Sequence, residues 1–183
     1  RVDFGKDKTD GNIRFGMLAL KNVGRQFIEA IIREREKTPF ESFENFVERM
    51  SEVTDLNKRQ VEALIKAGAF DNLGTYRSKI LASYEIIIDN IQQKKRDNLV
   101  GQMDMFSMGD TTSPRFEYPD IPECSMREKL MLEKDASGMY FSGHMLDNYS
   151  EHIKNVKYTE ISDISSDDEG RHKDGEKVTV VGV

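Results

Sequence analysis

The sequence predicts a mainly α-helical chain built around a duplicated helix–turn–helix corner, and three observations carry that prediction. Apolar residues recur at helical spacing through much of residues 24–91, and a corner bearing Asn and Gly is repeated fifty positions on. Three of the four prolines then fall within 114–122, among Gly, Asp, Ser and Thr, where the helical pattern stops.

Residues 1–12 are polar and Gly-containing and read as the end of a preceding domain. A helical domain is expected over 13–96. Its first helix runs from Gly24 to about Lys37 on the stripe Phe27, Ile28, Ile31 and Ile32, with Pro39 closing the segment. Ser42 is placed as the N-cap of a second helix whose apolar face is Phe43, Phe46, Val47 and Met50. Asn57 with Gln60 resembles a capping box before Val61, Leu64 and Ile65, and Gly68 suits a left-handed stop. Thr75 is expected to cap a longer helix with the stripe Ile80, Leu81, Tyr84, Ile87, Ile88 and Ile91, fading into the polar 92–98.

An extended linker is expected over 97–124. Ser125 with Glu128 signals a further helix ending near Gly138, the start of a short helical segment over 125–160. There Met145, Leu146, Tyr149 and Ile153 are expected to face inward. Within 161–183, the Asp- and Ser-rich stretch 162–170 reads as an exposed loop and the Val-rich Lys177–Val183 as the first strand of a β domain. The chain begins without Met and stops inside an apolar run, so it reads as a piece of a longer protein.

Charge is divided along the chain. Residues 1–100 hold 18 Lys/Arg against 16 Asp/Glu, and 101–183 hold 9 against 17, within an overall net charge of −6. Only the first part is suited to approach a polyanion. No apolar run is long enough to span a bilayer, and no leader pattern is visible. Cys124 is the one cysteine, which excludes an internal disulfide and makes a cytoplasmic setting the expectation.

The repeat is the most informative feature. Leu20-Lys21-Asn22-Val23-Gly24 and Phe70-Asp71-Asn72-Leu73-Gly74 share the pattern apolar-x-Asn-apolar-Gly between helices, the signature expected of a tandem helix-hairpin-helix. Such a corner tolerates positive φ and aims backbone N–H groups outward at a helix N-terminus, where they hold a phosphate without reading a base. The residues expected to grip duplex DNA are Lys21, Asn22, Val23, Gly24 and Arg25 in the first corner. In the second they are Asn72, Leu73, Gly74, Thr75, Arg77 and Lys79. Asp71 works against the second, since a carboxylate beside a phosphate nest weakens it. One copy alone is explained as well by an ordinary corner with Gly as a C-cap; two in matching context favour the grip.

Inside the linker lies Gln102-Met103-Asp104-Met105-Phe106. Two large apolar residues without amphipathic period suit a short extended peptide that plugs Met105 and Phe106 into a partner's pocket, with Gln102 bonding nearby. The competing reading folds both back over the helix ending near Ile91. No catalytic grouping emerges. The acidic run Asp163–Glu169 shows no sign of convergence, and His144, His152 and His172 are scattered, without zinc-ligand spacing. A protein–protein scaffold with no DNA binding of its own is the alternative to a DNA-binding module.

At this point the residues resemble a family. Ile13-Arg14-Phe15-Gly16 with Leu20–Gly24, then Asn57-Lys58-Arg59, Glu62–Asp71 and Leu73-Gly74, are similar to the tandem hairpin domain in the alpha subunit of bacterial DNA polymerase III, DnaE type. Gly101–Phe106 resembles that family's internal clamp-binding motif. Glu133-Lys134 and Tyr140-Phe141-Ser142-Gly143-His144 with Leu146-Asp147 resemble the segment that closes the domain before an OB-like fold. Asn22 stands where the family usually has Gly, and Met145 where it usually has Pro. The resemblance implies a non-catalytic piece of a replicative polymerase. It implies duplex DNA, the sliding clamp and other replisome subunits as partners. The active site and its Mg2+ would lie elsewhere in the parent, with no cofactor in this segment.

Overall fold

A computed structural model describes residues 5–6, 13–99, 116–165 and 175–182 of the chain, in two units, Arg1–Phe141 and Ser142–Val183. The first unit opens on two short antiparallel strands, β1 (Gly5–Lys6) and β2 (Ile13–Arg14), with Gly5 opposite Arg14. A 3-10 turn at Met17–Ala19 leads to α1 (Arg25–Lys37), α2 (Phe43–Val53) and α3 (Lys58–Lys66). A second 3-10 turn at Asp71–Leu73 precedes α4 (Arg77–Leu99), and α5 (Met126–Ser137) follows. The chain is mainly helical, as its periodicity requires.

The expected stripes form one core. Phe27, Ile28 and Ile31 of α1, Phe43, Phe46, Val47 and Met50 of α2, Val61, Leu64 and Ile65 of α3, and Ile80, Ile87 and Ile88 of α4 are all buried. Phe70, from the corner between α3 and α4, meets Phe43 and Phe46 edge to face, with centroids 5.1 and 4.9 Å away. That geometry matches the quadrupoles of the rings and anchors the corner in the core.

Helix ends follow local chemistry in some places and tertiary contacts in others. Ser42 caps α2 by accepting from Asn45 N, and Ser125 with Glu128 closes a full capping box on α5. At the other end of α1, Arg49 donates to the backbone oxygens of Thr38 and Glu34 while its guanidinium lies over the Phe40 ring. The Asn57 expectation is corrected: its side chain accepts from Arg59 N, two residues on, so the cap stands without the reciprocal Gln60 bond. Thr75 is also corrected, because α4 begins only at Arg77 and its first amides are satisfied from a distant segment. That helix continues to Leu99 instead of fading from Gln92.

A buried ion pair fastens α5 to this core. Glu133 is fully buried and Arg77 is 2% exposed. The Arg77 guanidinium donates through both Nη atoms to Glu133 Oε1 at 3.2 and 3.3 Å, to Asp71 from Nε at 3.1 Å, and to the Lys66 carbonyl at 3.1 Å. The second Glu133 oxygen accepts from Phe141 N at 2.7 Å. Burial alone would lower the Arg77 pKa, but its bonds to Asp71 and then Glu133 outweigh burial and raise it. Gly68, at φ +78°, ends α3 beneath this group, and a Cβ there would collide with the guanidinium.

Part of the expected linker belongs to the same body. Phe116 and Tyr118 pack against the core, and Ser78 Oγ donates to the Pro122 carbonyl at 2.7 Å. Residues 116–125 are therefore extended but docked.

The second unit holds α6 (Ser150–Lys154) and α7 (Ile161–Ser165). Its opening turn is fixed by Asp147, whose carboxylate accepts from His144 N at 2.6 Å, while His144 Nδ1 accepts from Leu146 N. Three expectations change here. Tyr149 is 59% exposed and does not face inward. The first half of the expected loop 162–170 is α7, and residues 166–174 lie outside those described. Residues 176–182 form no strand ladder; Thr159 N donates to Thr179 O at 2.8 Å, and no OB-like sheet is seen among the described residues.

Removing one partner of a buried pair strands the other's charge. Glu133→Ala is expected to lower unfolding free energy by about 3–5 kcal/mol in urea titration; a loss under about 1 kcal/mol would show that the pair is not buried in solution. Gly68→Ala should destabilise by a further route, left-handed strain of about 1–2 kcal/mol plus displacement of Arg77, read by the same titration.

Candidate nucleic-acid interface

The first corner is open. Leu20 and Val23 turn inward, 6% and 7% exposed, and fix the turn against the core. Lys21, Asn22, Gly24 and Arg25 are exposed around it. Asn22 adopts φ +64°, among the described residues the only non-glycine in the left-handed region. Asn enters that region more readily than other side chains, so it serves where the resembled family usually has Gly. Gly24 is the N-cap of α1 and brings no side chain to cap it. The positive end of a 13-residue helix therefore lies beside two exposed cations. Lys21 N itself is engaged, donating to the Ala136 carbonyl of α5 at 2.8 Å. Asp135 stands near Lys21, but its carboxylate is already bonded to Lys66 at 2.7 Å, and that bond holds its pKa below the usual range.

The second corner differs, and the difference is a correction. Asn72 lies within a 3-10 turn, Gly74 rather than the Asn takes positive φ, at +83°, and α4 starts three residues later. The five-residue repeat thus folds into two unlike turns. Arg77, expected at the DNA surface, is instead the buried partner of Glu133; its guanidinium cannot reach a phosphate without dismantling that pair. Asp71 is turned onto Arg77 with its charge compensated, so it does not weaken the corner as its sequence position implies. Leu73 packs against the core and Thr75 is half-buried, while Asn72 and Gly74 are exposed.

Sequence reasoning missed Glu123. Its carboxylate accepts from Arg77 N at 3.1 Å through one oxygen and from Ser78 N at 3.2 Å through the other. It therefore sits on the N-terminus of α4, where the repeat places a phosphate. Lys129 pairs with it at 3.3 Å, and Asp120, from the same segment, pairs with Lys79 at 3.6 Å. Burial works against the charged form, yet the amides of Cys124, Ser78 and Arg77, with Lys129, outweigh it and hold the Glu123 pKa below its ordinary value. No local signal marks its role at α4, because the two amides it meets there lie 45 and 46 positions away.

The expected clamp peptide Gln102, Met103, Asp104, Met105 and Phe106 lies outside the described residues. Among the described residues, no three His, Cys, Asp or Glu side chains are grouped to hold a metal ion. No helix among them is long and apolar enough to cross a membrane.

Comparison with known proteins now gives the class. Residues 1–80 match the family described as "Helix-hairpin-helix motif". The particular relatives are DNA polymerase III alpha subunits. The chain is 36% identical to DNA polymerase III subunit alpha of Chlamydia pneumoniae over 154 residues, 81% of this chain and 12% of that protein. It is 35% identical to the same subunit of Xylella fastidiosa (79% and 12%) and 34% to that of Saccharopolyspora erythraea (91% and 15%). This chain is thus a helix-hairpin-helix relative of bacterial DNA polymerase III alpha subunits, spanning about an eighth of their length.

The Glu123 contact has a pH signature. A carboxyl whose pKa is depressed on folding stabilises the fold above its unfolded value, about 4.3, and that contribution is lost as pH falls through the folded value. Glu123→Gln should lower Tm at pH 7, and its gap from wild type should close on titration below about pH 4. A gap that circular dichroism melts find unchanged from pH 7 to pH 3 would rule out a charged cap.

Proposed function

We propose that this chain is a non-catalytic part of a replicative DNA polymerase that grips the backbone of duplex DNA through its first hairpin and docks on the sliding clamp through Gln102–Phe106. The observation that carries the DNA reading is the exposed corner Lys21–Arg25, with two cations beside the uncapped N-terminus of α1. Such a corner recognises phosphate and no base, so binding is independent of sequence and sensitive to salt. With an overall charge of −6, the contact must be local. The relatives' names and their much greater length support placing nucleotidyl transfer, with its Mg2+, in other parts of the parent, in the bacterial cytoplasm beside other replisome subunits.

The clamp reading rests on the Met105–Phe106 pair and the resemblance of its surroundings. Burying each side chain contributes roughly 1.5–3 kcal/mol before ordering costs. A tether on a DNA-bound protein adds effective concentration to a modest intrinsic affinity.

Lys21→Glu with Arg25→Glu is expected to weaken duplex binding at least tenfold and to flatten log K against log salt by about 2 units, measured by fluorescence anisotropy. Equal affinity for both proteins would dispose of the first hairpin as the grip. Met105→Ala with Phe106→Ala should abolish co-migration with purified clamp while helical content stays constant. Clamp affinity that survives the double substitution refutes the docking assignment.

A further inference from the structure

The two corners differ in what meets their helix N-termini. At α1 the cap residue is a glycine; at α4 the chain delivers a carboxylate of its own, with one oxygen on each of two consecutive amides. The same segment brings Asp120 to Lys79, the remaining expected cation of that corner once Arg77 is counted as buried. Anion and helix therefore meet as they would with a bound phosphate, and both acidic partners come from the stretch Pro119–Glu123.

We infer that Pro119–Glu123 is an intrachain phosphate mimic, holding the second hairpin closed to DNA until the strap is displaced. This rests on the duplex-binding reading and specifies how the second half of that site is regulated.

The build of the strap fits the role. Pro119 and Pro122 keep it extended and have no N–H to spend in a sheet or helix. Pro119, Asp120 and Pro122 are exposed, and Asp120 meets Lys79 at the surface, a contact that salt and competing anions weaken. Its ends are anchored separately, by Phe116 and Tyr118 on the core and by the Ser125–Glu128 box that opens α5. Lifting the stretch between them breaks the Ser78–Pro122 bond, the Lys129–Glu123 pair and the Glu123 contacts with the start of α4, and no contact inside either helix. Cys124, half-buried next to Glu123, moves with it.

With the strap closed, a duplex reaches only the first corner. With it lifted, the amides of Arg77 and Ser78 and the Lys79 ammonium become available to a phosphate. A carboxylate carries one charge and phosphate binding adds the contacts of the first corner, so duplex already held there competes at high effective concentration.

The test uses the full chain with a short fluorescent duplex. Glu123→Gln with Asp120→Asn should tighten binding about five- to tenfold and steepen the salt slope by about 1, one phosphate more. Glu48→Gln with Glu52→Gln removes the same charge from the exposed face of α2 and should leave the slope unchanged. Adding Lys79→Gln to the strap variant should cancel most of the gain. Alkylation of Cys124 by iodoacetamide in the wild type should accelerate when duplex is added. Thermal melts confirm that each variant is folded; Asp120→Asn alone, which leaves the α4 cap intact, should still tighten binding about twofold. If wild type binds through Lys21 and Arg25 but the strap variants show no gain over the α2 control, the strap is a permanent cap and the inference fails while the duplex reading stands. If neither wild type nor strap variant binds duplex, both fail.

Discussion

The Arg77–Glu133 pair is the contact on which the rest of the first unit depends. One guanidinium, from the start of α4, reaches the end of α3 through the Lys66 carbonyl, the second corner through Asp71 and the middle of α5 through Glu133. Glu133 in turn holds the amide of Phe141, whose ring meets Phe15 at 4.4 Å. Two charges taken out of water are tolerated only when their remaining donors and acceptors are satisfied, and here the surrounding backbone does so. The arrangement also explains Gly68, since any side chain at that point would occupy the volume of the guanidinium. Apolar stripes bring α1 to α4 together without direction; this pair sets where α5 lies.

That placement determines which corner is exposed. With α5 in position, its Ala136 carbonyl receives Lys21 N and steadies the first corner without covering Asn22, Gly24 or Arg25. The chain leading into α5 then passes over the start of α4, where Glu123 and Asp120 meet the second corner. Duplicated sequence has therefore produced two structurally unequal turns. A basic surface persists at one, and an acidic segment neutralises the other.

The division of charge along the chain acquires a structural meaning as well. Four acidic residues beyond residue 100, Asp120, Glu123, Glu133 and Asp135, each pair with a cation or amide of the preceding helices. Docking of 116–141 onto the helical body is largely electrostatic around its polar margins and apolar at Phe116, Tyr118 and Leu130. The expected clamp peptide, residues 102–106, lies in sequence between α4 and this docked stretch.

By itself the sequence determined the helices, their buried faces and the caps made within a few residues. Periodicity exposed the stripes Phe27–Ile31, Phe43–Met50 and Ile80–Ile88, and Ser42, Ser125 and Gly68 marked ends because their partners lie three to five positions away. It also marked a turn at Leu20–Gly24, where Asn22 enters the left-handed region through a local preference of its side chain. Only the tertiary structure decided the fate of the second. Arg77 reads as a surface cation until α5 supplies Glu133 from 56 positions away, and Thr75 reads as a cap until Glu123 arrives from 46. Among the described residues, 177–182 pair with no neighbouring edge for a related reason: alternation describes a face, but a strand exists only beside a partner. Local conformational preference is written residue by residue, whereas the partner of a charge or an amide is chosen by whichever segment the packing of the core brings within hydrogen-bond reach.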